Sequence, residues 1–184
     1  MQSIKYFLQG FLIGLCLIVI SYGSYMRYDA HYNTHGIYKR ILNELKAEYG
    51  ESASGIHLVF SDDIEVNAWA QSDGSVTVTA GMEGLLGKNE DAIATLMAHE
   101  MSHITLGHVH GWVFSAEESR AREQQADRMG ALLVDRAGYD KCTGMKVLMG
   151  AIAWVFDDTR TISEDTHPAP LGRIADICQI NLDK

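Results

Sequence analysis

The stretch that decides the fold is "MAHEMSHITLGH", residues 97–108, which holds three histidines and one glutamate. An α-helix turns once in about 3.6 residues, so His99 and His103 lie one above the other on the same helix face. Glu100 projects beside them. Zinc peptidases use this HExxH pattern because two imidazoles at this spacing can share one ion while the glutamate activates a water molecule. The segment therefore predicts a metal-binding helix with Glu100 as its general base.

A catalytic zinc site needs a third protein ligand, and the segment "REQQAD", residues 122–127, offers one. Glu123 and Asp127 are spaced to share one face of the next predicted helix. If that helix packs antiparallel to the first, Glu123 can complete the ligand set with His99 and His103. Asp127 is then placed to hold a ligand histidine by a hydrogen bond. We predict one zinc ion per chain.

Capping residues give the bounds of these two helices. Asn89 is an N-cap for the HExxH helix, which is predicted to run to about Val109. The segment "SAEE", residues 115–118, is a capping box that opens the second helix. That helix is predicted to continue to about Ala137, with Gly138 directly after its end.

The residues before the HExxH helix predict a small β-sheet. The segment "IHLVF", residues 56–60, is typical of a buried strand, and the alternating runs at residues 64–70 and 75–80 flank Asp73-Gly74, a hairpin signal. Further helices are predicted over residues 33–49, over residues 142–156 and from about Pro170. The predicted fold class is α+β, with a small sheet, a helical bundle and zinc held between two helices.

The N-terminal segment is a candidate for membrane insertion. Residues 6–26 carry no charged side chain and are about long enough to cross a bilayer as a helix. They are an uncleaved anchor, a signal peptide cleaved near residues 21–23, or a buried core helix, and the first two export the rest of the chain. We divide the chain into this segment, residues 1–30, and a zinc metallopeptidase domain, residues 31–184. The predicted location is the cell envelope, with the catalytic domain anchored and facing the periplasm, or secreted into it after cleavage.

Charge and cysteine usage exclude other classes of function. The formal net charge of −9 disfavours nucleic acid as a partner, because phosphate binding needs clustered Lys and Arg. The chain has no CxxC pair, which makes a zinc site built from cysteines improbable. In an exported domain Cys142 and Cys178 can form a disulfide, and the alternative is two separately buried thiols. The sequence leaves both open.

Four stretches resemble, in the same order, the zinc metallopeptidase family that includes the CAAX prenyl protease, HtpX and the periplasmic proteases LoiP and BepA. They are "NAWAQSDGSVTVTAGM" (67–82), "AHEMSHITLGH" (98–108), "REQQADRMG" (122–130) and "THPAPLGRIADI" (166–177). The single hydrophobic span resembles the smaller, LoiP-like branch, although no convincing lipobox precedes Cys16. Thermolysin-like enzymes share the HExxH and a downstream glutamate and are the nearest alternative, but the first and last stretches favour this family.

The resemblance implies a zincin-like fold and a role for each matching residue. His99, His103 and Glu123 match the zinc ligands, Glu100 the general base, and Asp127 a residue that supports a ligand. The strand made of Ser75, Val76, Thr77, Val78 and Thr79 matches the edge strand that receives substrate.

Three further residues are assigned roles around the predicted zinc site. The resemblance implies that His167 lies on a loop that approaches the metal, as a gate or as a transition-state stabiliser. Arg173 would then orient that loop or the substrate carbonyl. His108 is interpreted as a structural hydrogen-bonding residue, because it is rotated off the ligand face.

The predicted function is that of a zinc-dependent endopeptidase that cleaves unfolded or misassembled envelope proteins. The substrate class follows from the family resemblance alone. The alternative is a chaperone-like module that binds strands at its sheet edge, with slow or gated proteolysis. The predicted partners are polypeptide substrates and, through the N-terminal segment, a membrane.

Overall fold

The computed structural model of the protein describes residues 34–111, 115–155 and 169–179. Within these ranges a three-stranded sheet packs against helices, which confirms the predicted α+β class. The predicted N-terminal hydrophobic helix and His167 lie outside the described residues. No helix in the described ranges is both long enough and apolar enough to cross a membrane.

The described part of the chain contains the following helices and strands in sequence order. Helix α1 covers residues 34–49 and continues into a 3₁₀ turn, Gly50–Ala53. The sheet and its following helix are β1 (His57–Ser61), β2 (Ala68–Ala70), β3 (Ser75–Thr79) and α2 (Ala80–Leu86). The remaining elements are α3 (Glu90–Thr105), a 3₁₀ turn (His108–His110), α4 (Ala116–Arg136), α5 (Lys141–Val155) and α6 (Pro170–Gln179).

The two helices that carry the predicted site begin where their caps predict. The side chain of Asn89 accepts a hydrogen bond from the Ala92 amide at 3.0 Å, and Ser115 accepts one from the Glu118 amide at 3.1 Å. Helix α3 ends at Thr105, earlier than predicted, because Gly107 adopts a left-handed conformation with φ of 75° and turns the chain.

The sheet has the strand order β1-β3-β2, with β1 parallel and β2 antiparallel to β3. The predicted β2–β3 hairpin is present, and Gly74 occupies the turn with φ of 89°. The prediction that β3 is an edge strand is wrong, because this strand is paired on both sides and all five of its residues are buried. The alternation of apolar and polar residues along a strand does not reveal which strands lie beside it. Here β1 pairs with the side of β3 that β2 leaves unpaired. Among the described strands, β1 and β2 form the edges of the sheet.

Helix α3 is the centre of the domain. It is buried from Ala92 to Ser102 and packs against α4, α5 and the sheet. Two glycines permit these close contacts. A Cβ atom on Gly144 of α5 would collide with the Thr95 hydroxyl and the Asp91 carbonyl of α3. A Cβ on Gly130 of α4 would lie 3.1 Å from the His99 amide nitrogen.

A disulfide joins Cys142, at the start of α5, to Cys178, near the end of α6. The structure therefore contains the disulfide rather than two separate thiols. The disulfide thus joins the N-terminal end of α5 to the C-terminal end of α6, and the two helices pack against each other. The disulfide and the contacts with α4 and α5 hold α6 against the domain.

Candidate metal centre

Helices α3 and α4 bring together three side chains that can bind one metal ion. His99, His103 and Glu123 each offer one ligand atom, and these atoms lie within 4.8 Å of one another. The Nε2 atoms of the two histidines are 3.1 Å apart. They lie 3.4 Å and 3.3 Å from the two carboxylate oxygens of Glu123.

This spacing fits a tetrahedral zinc ion. Ligand atoms about 2.0–2.2 Å from zinc at tetrahedral angles are separated by about 3.3–3.6 Å. The two histidine nitrogens are 3.1 Å apart, and each has a different carboxylate oxygen of Glu123 at 3.3–3.4 Å, values close to that range. Two imidazoles and one carboxylate also form a donor set that occurs in catalytic zinc sites, where a fourth position stays open. The residues present therefore fit the ion.

The antiparallel packing of α3 and α4 produces this convergence. His99 contacts Asp127, whereas His103, one turn later on α3, contacts Glu123, one turn earlier on α4. Residue numbers therefore rise along α3 in the direction in which they fall along α4, which is the antiparallel arrangement considered above. Gly130 allows the backbones to approach near His99, because a side chain there would press against α3.

Asp127 binds the ring nitrogen of His99 that faces away from Glu123. The distance from His99 Nδ1 to Asp127 Oδ1 is 2.9 Å, and the carboxylate is nearly buried. Burial opposes the charge on Asp127, but the bonds from His99 and Arg173 outweigh it and hold its pKa at about 2. Burial likewise lowers the pKa of His99, whereas Asp127 and Glu123 more than reverse this and raise the pKa to about 10.

Arg173 forms an ion pair with Asp127, the residue that contacts His99. Its Nε and Nη2 atoms each donate to a carboxylate oxygen of Asp127 at 2.7 Å. The side chain of Arg173 is only 11% exposed. This contact differs from the predicted role of Arg173, which was to orient the loop of His167 or a substrate carbonyl.

Glu100 is buried beside the ligand histidines, with 9% of its surface exposed. Burial raises its pKa, the nearby His99 and His103 lower it, and Glu123 raises it, with a net increase. A carboxylate whose pKa lies above its ordinary value is a stronger base, which suits the abstraction of a proton from water.

His108 contacts the second histidine of the motif. Its Nδ1 lies 3.1 Å from His103 Nδ1, and its Nε2 lies 3.0 Å from the Gln125 side-chain oxygen. Partial burial lowers the pKa of His108, which favours the neutral form of its ring. The sequence reasoning missed Gln125, because its offset of two residues from Glu123 places it on another part of the helix surface.

Comparison with known proteins is consistent with this geometry. A family model described as "Peptidase family M48" matches residues 34–115 and 109–181. The chain belongs to peptidase family M48. The family predicted from the four sequence stretches is therefore confirmed. Membership of M48 supports a metalloprotease, and M48 metallopeptidases use zinc.

One curated relative of this M48 chain is the beta-barrel assembly-enhancing protease of Yersinia pestis. The two are 22% identical over 180 residues, an alignment that covers 73% of this chain and 36% of the relative. The chain thus spans about a third of the length of that relative.

Proposed function

We propose that the protein is a zinc-dependent endopeptidase, with zinc held by His99, His103 and Glu123. The observation that carries this proposal is the spacing of the three ligand atoms in a chain of peptidase family M48. When bound, zinc polarises the scissile carbonyl and lowers the pKa of a water molecule to about 7.

Glu100 is the proposed general base. It accepts a proton from the attacking water and delivers one to the leaving amine nitrogen, so that both new termini are formed with balanced protons. The burial of Glu100 supports this role, since its raised pKa allows the carboxyl group both to take and to return a proton. Asp127 fixes the orientation of His99 during the reaction.

Strand β2, rather than β3, is the strand proposed to bind the substrate. It is an edge strand, and it packs beside the HExxH helix α3. In its antiparallel pairing with β3, the Asn67 carbonyl accepts from the Thr79 amide and the Gln71 amide donates to the Ser75 carbonyl. The alternating Ala68 and Ala70 therefore turn their N–H and C=O groups away from β3. An extended polypeptide can pair with these groups largely regardless of its own sequence.

The proposed substrates are unfolded or misassembled envelope proteins. Pairing along β2 requires an extended chain, which a folded protein rarely offers. The name of the Yersinia pestis relative refers to assembly of β-barrel proteins, which supports a role in envelope protein quality control. The Cys142–Cys178 disulfide also supports a location in an oxidising compartment outside the cytoplasm. Residues 6–26 would anchor the domain there, or would be removed on secretion.

A chaperone-like function is the second candidate, and the backbone groups of β2 that face away from β3 favour it. The same backbone groups can hold an unfolded strand without cleavage, because binding at the edge does not itself require a metal. In this case proteolysis is slow or gated.

Turnover of an unfolded protein distinguishes the two functions. The purified full chain is incubated with a permanently unfolded polypeptide and with a folded control, with chelator, and with chelator followed by excess zinc. The endopeptidase proposal predicts fragments from the unfolded substrate only, lost with chelator and restored by zinc. Stable binding of the unfolded chain without fragments, at one zinc per protein, would support the chaperone function and overturn the proposal.

A further inference from the structure

We propose that His108 and Gln125 form a hydrogen-bond relay that positions His103 for the metal. The relay would orient His103, the second histidine of HExxH, as the hydrogen bond to Asp127 orients His99, the first. The inference rests on the proposed function, because it concerns the nitrogen of His103 that the metal would leave free.

Both ring nitrogens of His103 have a defined neighbour. Its Nε2 faces the other two candidate ligands, at 3.1 Å from His99 Nε2 and 3.3 Å from Glu123 Oε1. Its Nδ1 lies 3.1 Å from His108 Nδ1. From the other side of the His108 ring, Nε2 lies 3.0 Å from the side-chain oxygen of Gln125. The contacts form a continuous path from the candidate metal position to α4.

Only one placement of protons serves metal binding along this path. His103 must present an unprotonated Nε2 to a metal, so its proton resides on Nδ1. That proton is donated to His108 Nδ1, which must therefore be the unprotonated nitrogen of its ring. The His108 proton then resides on Nε2 and is donated to the Gln125 oxygen. In this arrangement the ring N–H of His103 and the ring N–H of His108 each have an acceptor, and both imidazoles are neutral.

The protein holds His108 in place through the backbone of the turn that follows α3. Gly107, with φ of 75°, turns the chain so that the His108 ring meets the His103 ring edge to face. The carbonyl of His108 accepts a bond from Arg122 Nη1 at 3.1 Å, and Arg122 is in turn paired with Glu118 at 2.7 Å. Arg122 and Gln125 are one helical turn apart on α4, so this helix holds both the backbone and the ring of His108.

The two histidines of HExxH thus have supports of different chemistry. His99 donates to an anionic carboxylate that is also held by Arg173. His103 donates to a neutral imidazole. Groups that orient metal-binding histidines commonly contribute about 10- to 100-fold to metal affinity, and we expect an effect in this range for His108.

The test measures metal binding rather than proteolysis. Zinc affinity of the full chain is determined by competition with a chelator, and the geometry of the site is followed by the visible absorption of bound Co²⁺. His108→Leu removes the acceptor and should weaken zinc about 10- to 100-fold and alter the Co²⁺ spectrum. His108→Asn should restore most of the affinity, because its side-chain oxygen can occupy the position of the imidazole Nδ1. Gln125→Leu should weaken zinc, and Gln125→Glu, which keeps an acceptor, should not.

His110→Leu is the matched control, since His110 is exposed in the same turn and should leave affinity and spectrum unchanged. If the parent chain binds no zinc, or if His103→Ala binds it equally well, the proposed function fails and the relay with it. If His103→Ala loses zinc while His108→Leu retains the parent affinity and spectrum, the relay alone is wrong. A His108→Asn variant as weak as His108→Leu, or a Gln125→Leu variant equal to the parent, would also overturn the relay.

Discussion

The guanidinium of Arg173 donates to both carboxylate oxygens of Asp127, each at 2.7 Å. The two residues are 46 positions apart and join α6 to α4. Asp127 also binds His99, so α6 supports the candidate metal centre through an ion pair. Both side chains are almost buried, with 11% and 4% of their surfaces exposed.

Loss of Arg173 should damage both stability and metal binding. Arg173→Met leaves a buried carboxylate without its cation, which typically costs about 3–5 kcal/mol of unfolding free energy. Urea unfolding and chelator competition measure the two effects. The double variant Arg173→Met/Asp127→Asn removes both charges and should be more stable than Arg173→Met alone. An equally or less stable double variant would show that the ion pair is not the cause.

Glu100 and Glu123 should respond differently to the same change of carboxylate to amide. Glu100→Gln should keep about one zinc per chain and lose at least ~100-fold of its proteolysis, because it removes only the base. Glu123→Gln should lose zinc at modest chelator concentrations, as should His99→Ala and His103→Ala, because each removes a ligand. Metal content measured beside activity separates these outcomes. Normal cleavage by Glu100→Gln, or parent-like zinc affinity in Glu123→Gln, would contradict the proposed site.

A proline at Ala70 should weaken substrate binding without affecting the metal. The Ala70 N–H points away from β3, so proline removes a group available to substrate and no hydrogen bond of the sheet. Loss of one such bond, about 0.5–1.5 kcal/mol, corresponds to a reduction of about 2- to 10-fold in kcat/KM. Ala70→Ser retains the N–H and is the control, and zinc content should be normal in both. Equal kcat/KM in the two variants would exclude this part of β2 as the binding edge.

Two glycines of α5 should respond in opposite directions to alanine. Gly144 packs against Thr95 and Asp91 of α3, so Gly144→Ala forces the helices apart and should cost about 1–3 kcal/mol of stability. Gly150 has nothing within 4 Å of its would-be Cβ, and Gly150→Ala should stabilise by about 0.4–1 kcal/mol. Chemical unfolding of the two variants tests the close approach of α3 and α5. A Gly144→Ala protein as stable as Gly150→Ala would refute it.

Reduction of the Cys142–Cys178 disulfide should destabilise the domain. The bond closes a loop with a sequence separation of 36, for which chain entropy predicts about 3–4 kcal/mol. Because the loop includes α6, reduction should also weaken zinc binding through Arg173. Unfolding with and without reductant gives the size of the effect. The Cys142→Ala/Cys178→Ala variant should match the reduced parent and show no further response to reductant. A response in that variant would assign the effect to another cause.

The sequence by itself determined the local structure around the HExxH motif and the family. The caps at Asn89 and Ser115, the Asp73-Gly74 turn and the helical spacing of Glu123 and Asp127 could all be recognised before the fold was known. These signals depend on hydrogen bonds and side-chain periodicity within a few residues, so they are written in neighbouring positions of the chain.

Only the tertiary structure decided the strand order, the disulfide, the attachment of Arg173 to Asp127 and the contact of His108 with Gln125. Alternation placed β3 in a sheet but did not reveal that β1 pairs with its second side. The residues that support the two motif histidines are brought close by the antiparallel packing of helices and by the return of α6. Such contacts depend on how surfaces from distant parts of the sequence pack together. The spacing of residues along one helix does not indicate which other helix packs against it.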